Sequence, residues 1–151
     1  MTWPFLDERP GVSPQEISAY EAGAGIRFPP QYRAFLQKQN GGTPGEMITV
    51  TFSVSTDIAC FFQLYRKSQS DRLPDLSGRV GPNLIWFAQD SGGGTYGIAH
   101  IGQSFGKVFW VDLPHCGIDW PEPEDCVPVR DSFEGFVTSI QPLATKKGPA
   151  K

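Results

Sequence analysis

Residues 13–42 read SPQEISAYEAGAGIRFPPQYRAFLQKQNGG, and this stretch decides the fold. Ser13 as N-cap, Pro14 in the first helical position and Glu16 as the third helical residue predict a helix that starts with a capping box. Gly23 and Gly25 predict its end, because glycine readily adopts the left-handed conformation that closes a helix. One face of this short helix carries Ile17, Tyr20, Glu21 and Ala24.

The rest of the stretch predicts a second short helix. Pro30 is its start signal, and Asn40-Gly41-Gly42 is its stop signal. Its buried stripe is predicted to be Tyr32, Phe35 and Leu36. Glu21 of the first helix is expected either to pair with a basic residue such as Arg33 or to cap a backbone turn.

Beyond the helices the apolar pattern changes to period two. Residues Met47 to Val54 alternate in this way and predict a half-buried strand. Residues 60–65 fit either a buried strand or a helical turn, and 66–79 predict a polar connection with room for one helical turn. The remaining pattern predicts an antiparallel meander with strands over 84–88, 96–101 and 107–112, a proline-rich loop over 113–125 and an edge strand over 127–129.

A last helix is predicted to start in the segment Asp131-Ser132-Phe133-Glu134, which has the form of a capping box. Its buried residues are predicted to be Phe133, Phe136, Val137 and Ile140. Helices at both ends of a run of strands predict an α+β domain: two N-terminal helices, a largely antiparallel sheet of about five strands and a C-terminal helix on one face. We expect an irregular leader over 1–12, one domain over 13–141 and a disordered tail over 142–151.

Four motifs in this order resemble the SUKH superfamily. They are the helix pair ending in Asn-Gly-Gly, the segment 87–96 (FAQDSGGGTY), the segment 106–112 (GKVFWVD) and the segment 131–137 (DSFEGFV). Two features depart from the superfamily pattern: Gly94 stands where many members carry an acidic residue or Asn, and the loop 113–125 is rich in proline. The superfamily includes Smi/Knr-type regulators of yeast cell-wall assembly and bacterial immunity proteins, so the resemblance implies a protein-binding module and not an enzyme.

Length, composition and net charge restrict the classes of protein to which the chain can belong. The 151 residues suit one domain, and with 39% hydrophobic and 19% charged residues the chain is globular in composition. A net charge of −3 argues against a dedicated nucleic-acid binder. Three irregularly spaced cysteines do not form a disulfide framework, and no signal peptide or membrane-length apolar run is visible. These features together predict a cytoplasmic location.

The acidic loop, residues 112–125, is the candidate binding site. It carries five carboxylates without Lys or Arg, and three prolines that restrict it before binding. The residues predicted to contact a partner are Asp112, Asp119, Trp120, Glu122, Glu124 and Asp125. Trp120, with Trp110 upstream, could supply an aromatic anchor, and the charge suits a basic partner such as a nuclease toxin. The alternative is a solvated loop whose acids maintain solubility and whose Trp120 fills the core.

Other chemistry finds little support in the pattern. Gly92-Gly93-Gly94 predicts a hairpin turn and not a phosphate loop, because no Lys-Ser/Thr opens a helix after it. His100, His115, Cys116 and Cys126 lack metal-ligand spacing. A hydrolytic site built on His115 with Asp112 or Asp119, or on Ser104, lacks a recognisable nucleophile pattern. We therefore predict no catalytic residue, no cofactor and no metal.

The functional hypothesis is an immunity protein that neutralises a polymorphic toxin, most plausibly a nuclease, through the acidic loop and the neighbouring sheet edge. The alternative is an intracellular regulator or scaffold of the cell-wall-assembly type. In both cases the partner is a protein and neither nucleic acid nor a membrane. The sequence leaves the partner's identity and the oligomeric state open.

Overall fold

The computed structural model describes residues 6–7, 9–66, 68 and 70–142. The tail predicted for 142–151 lies outside the described residues from 143 onward, as does the start of the leader, residues 1–5. In the described part of the leader, the side chains of Leu6 and Val12 are buried in the main core.

The two N-terminal helices form as predicted. Helix α1 (Pro14–Ala24) starts at Ser13 with both hydrogen bonds of the capping box to Glu16, and it ends at Gly25 with φ 70°. Helix α2 (Pro30–Lys38) buries Tyr32, Phe35 and Leu36, the predicted stripe. Glu21 fulfils both expected roles, because one carboxylate oxygen accepts from Arg33 Nη1 at 2.7 Å and the other from the Phe28 backbone N–H at 2.7 Å.

The strands form two antiparallel sheets. The order in the larger, five-stranded sheet is β3-β4-β5-β6-β7, and in the smaller, three-stranded sheet it is β2-β1-β8. The strand bounds are β1 Ile48–Thr51, β2 Ser55–Asp57, β3 Cys60–Phe61, β4 Leu84–Gln89, β5 Thr95–Ala99, β6 Val108–Val111, β7 Val127–Arg130 and β8 Gln141–Pro142. Helix α3 (Phe133–Thr138) follows β7 and starts at Ser132, whose side chain accepts from the Gly135 N–H. The α+β class, the meander and the closing helix are thus confirmed.

Three details of the prediction were wrong. The strand predicted over 47–54 stops at Thr51, because Phe52 N–H bonds to the Val54 carbonyl at 2.7 Å and turns the chain into β2. The last helix is capped by Ser132 and not by a box starting at Asp131, and Ile140 lies beyond its end. The described residues of 66–79 contain no helical turn.

The larger sheet has a different cover on each face. The helix-covered face carries the main core, in which Phe87 contacts the rings of Tyr32, Phe61, Phe133 and Phe136 at centroid distances of 5.4–6.1 Å. The loop-covered face carries a separate small cluster of buried residues, namely Leu84, Trp86, Ala99, Phe109 and Val111. The acidic loop runs between β6 and β7 and lies over this second face.

Candidate protein-binding surface

The acidic loop is folded onto the sheet by its own apolar residues. Leu113, Cys116 and Cys126 pack against the small cluster of the loop-covered face, and Pro121 is buried. Two turns of 3₁₀ helix, Leu113–His115 and Pro123–Asp125, shape the rest of the loop. The loop therefore has a defined backbone, with one side against the sheet and the other toward solvent.

Two thiols, Cys116 within the acidic loop and Cys126 directly after it, make local contacts with backbone carbonyls. Cys116 Sγ lies 3.4 Å from the carbonyl oxygens of Leu113 and Ile118, and Cys126 Sγ lies 3.4 Å from that of Glu122. Burial, with the nearby Asp125 carboxylate, raises the pKa of the Cys126 thiol to about 12. A thiol with so high a pKa is protonated at neutral pH, so Cys126 is a poor nucleophile and a poor metal ligand.

The structure places four of the five loop carboxylates on the exposed side. Asp119, Glu122, Glu124 and Asp125 are all exposed, and Asp125 also accepts a hydrogen bond from the Glu122 N–H at 2.9 Å. A hydrogen bond between the side chains of Glu122 and Glu124, with repulsion from Glu124 and Asp125, raises the pKa of Glu122. Glu124 and Asp125 are thus close enough to Glu122 to destabilise its ionised form, which marks a concentrated negative patch.

The fifth carboxylate, Asp112, is committed to a local contact. Its oxygens lie 3.0 and 3.1 Å from His115 Nδ1, and the His115 side chain is 77% exposed. Among the described residues, no hydroxyl or thiol is hydrogen-bonded to the imidazole, so this pair lacks the nucleophile of a hydrolytic dyad.

The two tryptophans predicted as anchors have different roles. Trp120 is 43% exposed, with its buried edge against Gly81, where even a Cβ would lie 2.6 Å from the ring. Trp110 is half-buried on the helix-covered side, and its Nε1–H donates to Asp90 Oδ2 at 3.0 Å. Of the two, Trp120 is the side chain that offers an aromatic surface to solvent.

Asp90 holds the glycine-rich hairpin to the neighbouring elements. Its buried carboxylate accepts from the Gly92 and Gly94 N–H groups, from Trp110 Nε1 and from Thr56 Oγ1, at 2.6–3.0 Å. Burial alone would raise its pKa, but these four hydrogen bonds keep it below the ordinary value. A Cβ at Gly94 would lie 2.4 Å from Asp90 Oδ2, so no larger side chain fits there with this arrangement. Gly94, which departs from the superfamily pattern, is therefore required by the packing of this hairpin. The predicted hairpin turn between β4 and β5 is confirmed.

A cleft that sequence reasoning missed lies between the acidic loop and the sheet. It has a volume of about 390 Å³ and is lined by residues that include Phe62, Arg79, Trp86, Gln89, Asp119 and Trp120. The guanidinium of Arg79 lies 4.3 Å from the centre of the Phe62 ring. Phe62 and Arg79 lie within residues 60–79, where hydrophobic periodicity does not determine the secondary structure. Only the tertiary fold brings them beside Trp120.

The other candidate residues do not converge. His100 is buried, with Nε2 2.7 Å from the Gly81 carbonyl oxygen. Within residues 6–142, excluding 8, 67 and 69, no three His, Cys, Asp or Glu side chains are placed to hold a metal ion. The described helices are too short and too polar to cross a membrane.

Comparison with protein-family models identifies a family for most of the chain. The model of the SMI1/KNR4 family (SUKH-1) matches residues 11–139, which span both N-terminal helices, both faces of the large sheet and helix α3. No curated protein matches the chain.

Proposed function

Since the chain belongs to the SMI1/KNR4 family (SUKH-1), we propose that it is an immunity protein that neutralises a basic toxin domain, most simply a nuclease, by direct binding. Membership of the family supports a non-catalytic domain of the immunity or regulator type. The choice of a toxin as partner, and of the acidic loop as the contact, is our proposal.

The observation that carries the proposal is the concentration of exposed acids on a loop with a defined backbone. Asp119, Glu122, Glu124 and Asp125 are exposed within seven residues of chain, and no Lys or Arg lies among them. A nuclease binds a polyanion and therefore carries a basic surface. An acidic patch complementary to that surface would speed association and cover the site where the toxin binds nucleic acid.

The conformation of the loop favours tight binding. Pro114, Pro121 and Pro123 restrict its backbone, and the small cluster of the loop-covered face supports it from below. A loop that is already ordered loses little conformational entropy when a partner binds. Trp120, half-exposed in the middle of the acids, is the aromatic side chain that a binding hot spot requires.

The repulsion among the acids predicts how binding depends on pH. A cationic partner would favour the ionised form of Glu122, whose pKa is raised in the free protein by Glu124 and Asp125. Complex formation would therefore release protons in the pH range where Glu122 titrates. Affinity would fall as the pH is lowered through that range, and it would fall with added salt at any pH.

The neighbouring sheet edge is better suited to side-chain contacts than to strand addition. Edge strand β7 contains Pro128, which has no N–H to donate to an incoming strand. Arg130, in the same strand, directs Nη2 to the Thr51 carbonyl at 2.9 Å and so ties this edge to the smaller sheet. We therefore place the contact on the outward side of the acidic loop.

The first step of the test is to look for a toxin domain encoded beside this gene, and the second is to measure whether this protein protects cells that express that domain. The variant Glu122→Lys, Glu124→Lys, Asp125→Lys reverses the patch while leaving its buried neighbours intact. A matched control, Glu46→Lys, Asp131→Lys, Glu134→Lys, changes net charge equally at exposed positions outside the loop. We expect the loop variant to lose protection and to bind the purified toxin at least about 100-fold more weakly, whereas the control protects, since buried or paired charges at interfaces cost several kcal/mol when reversed.

Equal protection by both variants would remove the acidic loop from the mechanism. Capture from extracts of the native cell, at low and at raised salt, tests the partner class separately. Recovery of a basic toxin domain that is released by salt would support the proposal. Recovery of endogenous regulatory proteins alone would favour the cell-wall-assembly type of regulator over the immunity protein.

A further inference from the structure

We propose that the cleft beside Trp120 binds a carboxylate carried on an apolar side chain of the protein partner, with Arg79 as the cation that recognises it. This inference deepens the proposed function by naming a second contact beside the acidic loop. It assigns to the partner an acidic side chain within its basic surface.

Arg79 is held to the backbone through one of its two terminal nitrogens. Its Nη1 donates to the carbonyls of Asp75 and Ser77 at 2.8 and 3.4 Å, which fixes the guanidinium over the Phe62 ring. Among the described residues, neither Nε nor Nη2 has a hydrogen-bond partner, and no carboxylate lies within 4.0 Å of the guanidinium. The N–H groups of Nη1 are therefore directed at the protein backbone, and those of Nε and Nη2 are free to bind a ligand.

Arg79 differs from the other half-buried arginines in what its guanidinium contacts. Arg9 forms a bidentate pair with Asp71 at 2.9 and 3.0 Å, and Arg33 pairs with Glu21 at 2.7 Å. Arg130 uses both terminal nitrogens on the carbonyls of Val129 and Thr51. Arg79 and Arg130 have no carboxylate partner among the described residues, and of these two Arg79 is the one that lines the cleft and keeps Nε and Nη2 without a partner.

The cleft offers space and an apolar wall beside Arg79. Its volume of about 390 Å³ accommodates a large side chain, and the Trp120 indole forms an apolar wall beside the cation. The planar guanidinium of Arg79, held over the Phe62 ring, has parallel donors whose spacing matches the two oxygens of a carboxylate. Asp119 also lines the cleft, so a free anion must compete with the nearby negative charge. These features suit a carboxylate joined to an apolar group more than a compact, highly charged anion.

The experiment uses the ¹⁵N-labelled protein alone, titrated with phenylacetate, with neutral phenylacetamide and with inorganic phosphate. The readouts are the Trp120 indole N–H signal and the Arg79 Nε–H signal, the latter identified by its loss in Arg79→Gln. We expect phenylacetate to shift both signals, and the other two compounds to bind at least about tenfold more weakly, because a charge-assisted hydrogen bond contributes roughly that factor.

Two substitutions should act in opposite directions. Arg79→Gln keeps an N–H donor for the Asp75 carbonyl but lacks the charge, and should weaken phenylacetate binding about tenfold. Asp119→Asn removes the competing carboxylate and should strengthen it by about two- to fivefold. Arg130→Gln is the matched control and should change nothing. Urea unfolding confirms that each variant is folded before it is titrated.

Equal binding of phenylacetate and phenylacetamide, or an unchanged affinity in Arg79→Gln, would overturn the inference. Phosphate binding as tightly as phenylacetate would also overturn it, since the cleft would then be a general anion site. Because no toxin is used, the titration is independent of the protection assay that tests the acidic loop. The cleft can fail the titration while the loop variant still loses protection, and the reverse outcome is equally clear.

Discussion

The two faces of the five-stranded sheet are covered by different means. On the helix-covered face, aromatic rings from α2, α3 and the strands form one continuous core, with Phe87 in contact with four other rings. On the loop-covered face, five buried residues lie under a loop whose only regular structure is two short 3₁₀ turns. The first face has a large apolar core, and the second has a small apolar cluster beneath four exposed carboxylates.

Under the proposed function, this difference would separate stability from recognition within one sheet. Burial of apolar area scales with stabilisation, so the helix-covered face should dominate the free energy of unfolding. The loop-covered face needs only enough apolar contact to hold the acidic loop in place. Surface charges can then change from one family member to another without loss of the fold, which suits a domain that meets different partners.

The most direct test of this difference in stability is to replace one buried phenylalanine by alanine on each face of the sheet. Phe87→Ala removes a fully buried ring from the main core and should cost about 4–5 kcal/mol, the upper part of the range for such changes. Phe109→Ala removes a ring of 6% exposure from the small cluster and should cost about 3 kcal/mol, because the loop above it can collapse into the space. Urea unfolding measures both, and equal costs would contradict the division.

The Asp90 carboxylate, which joins the two sheets through Thr56 and Trp110, gives the next largest effect. Asp90→Asn replaces one acceptor oxygen by an amide and should cost about 2–3 kcal/mol at pH 7. The pKa of Asp90 is lowered in the folded protein, so its contribution is complete above the unfolded pKa near 4 and is lost as the pH falls through the folded value.

The stabilities of the wild type and of Asp90→Asn should therefore converge only in acid, below about pH 4. Unfolding at a series of pH values checks this, with Asp131→Asn as a control at an exposed position. A difference that stayed constant down to pH 2 would show that packing, and not the ionised carboxylate, stabilises the hairpin.

Sequence reasoning succeeded where the determinants are local. Ser13 with Glu16 and the stripe of Tyr32, Phe35 and Leu36 specify their helices within a few residues, and both helices lie where they were predicted. It failed where the determinant is distant. The turn that shortens the strand over 47–54 is closed by a local hydrogen bond from Phe52 to Val54, but the Phe52 ring packs on Tyr96 and Trp110, which are far along the chain and which the local pattern does not reveal.

The candidate site divides in the same way. The acids of the loop are adjacent in sequence, so their patch was visible from composition, and the structure places four of them on the exposed side. The cleft was invisible, because Phe62, Arg79 and Trp120 are brought together by three separate segments. Neither hydrophobic periodicity nor the spacing of motifs along the sequence can predict such a site.

Substitution of Trp120, whose indole is half-exposed, tests whether this residue belongs to the core or to the surface. Trp120→Ala should cost only about 1–2 kcal/mol of stability, because 43% of the side chain is already in water. The same change should weaken partner binding by more than it weakens folding, as expected for a hot-spot residue. Parallel unfolding and binding measurements give the two values, and a loss of stability like that of Phe109→Ala would instead make Trp120 a core residue.

The smallest effect is expected at the centre of the helix-covered face. Tyr32 is fully buried among Phe28, Phe35, Phe87 and Phe133, and its hydroxyl has no hydrogen-bond partner among the described residues. Burial accordingly raises its pKa. A buried hydroxyl without a partner opposes folding, so Tyr32→Phe should leave stability unchanged or raise it by up to about 1 kcal/mol. Urea unfolding against wild type measures this, and a loss of more than about 1 kcal/mol would mean that the hydroxyl is satisfied in solution, by a water molecule within the core. In that event the helix-covered face would contain a polar interaction of its own, and its stability could not be assigned to apolar packing alone.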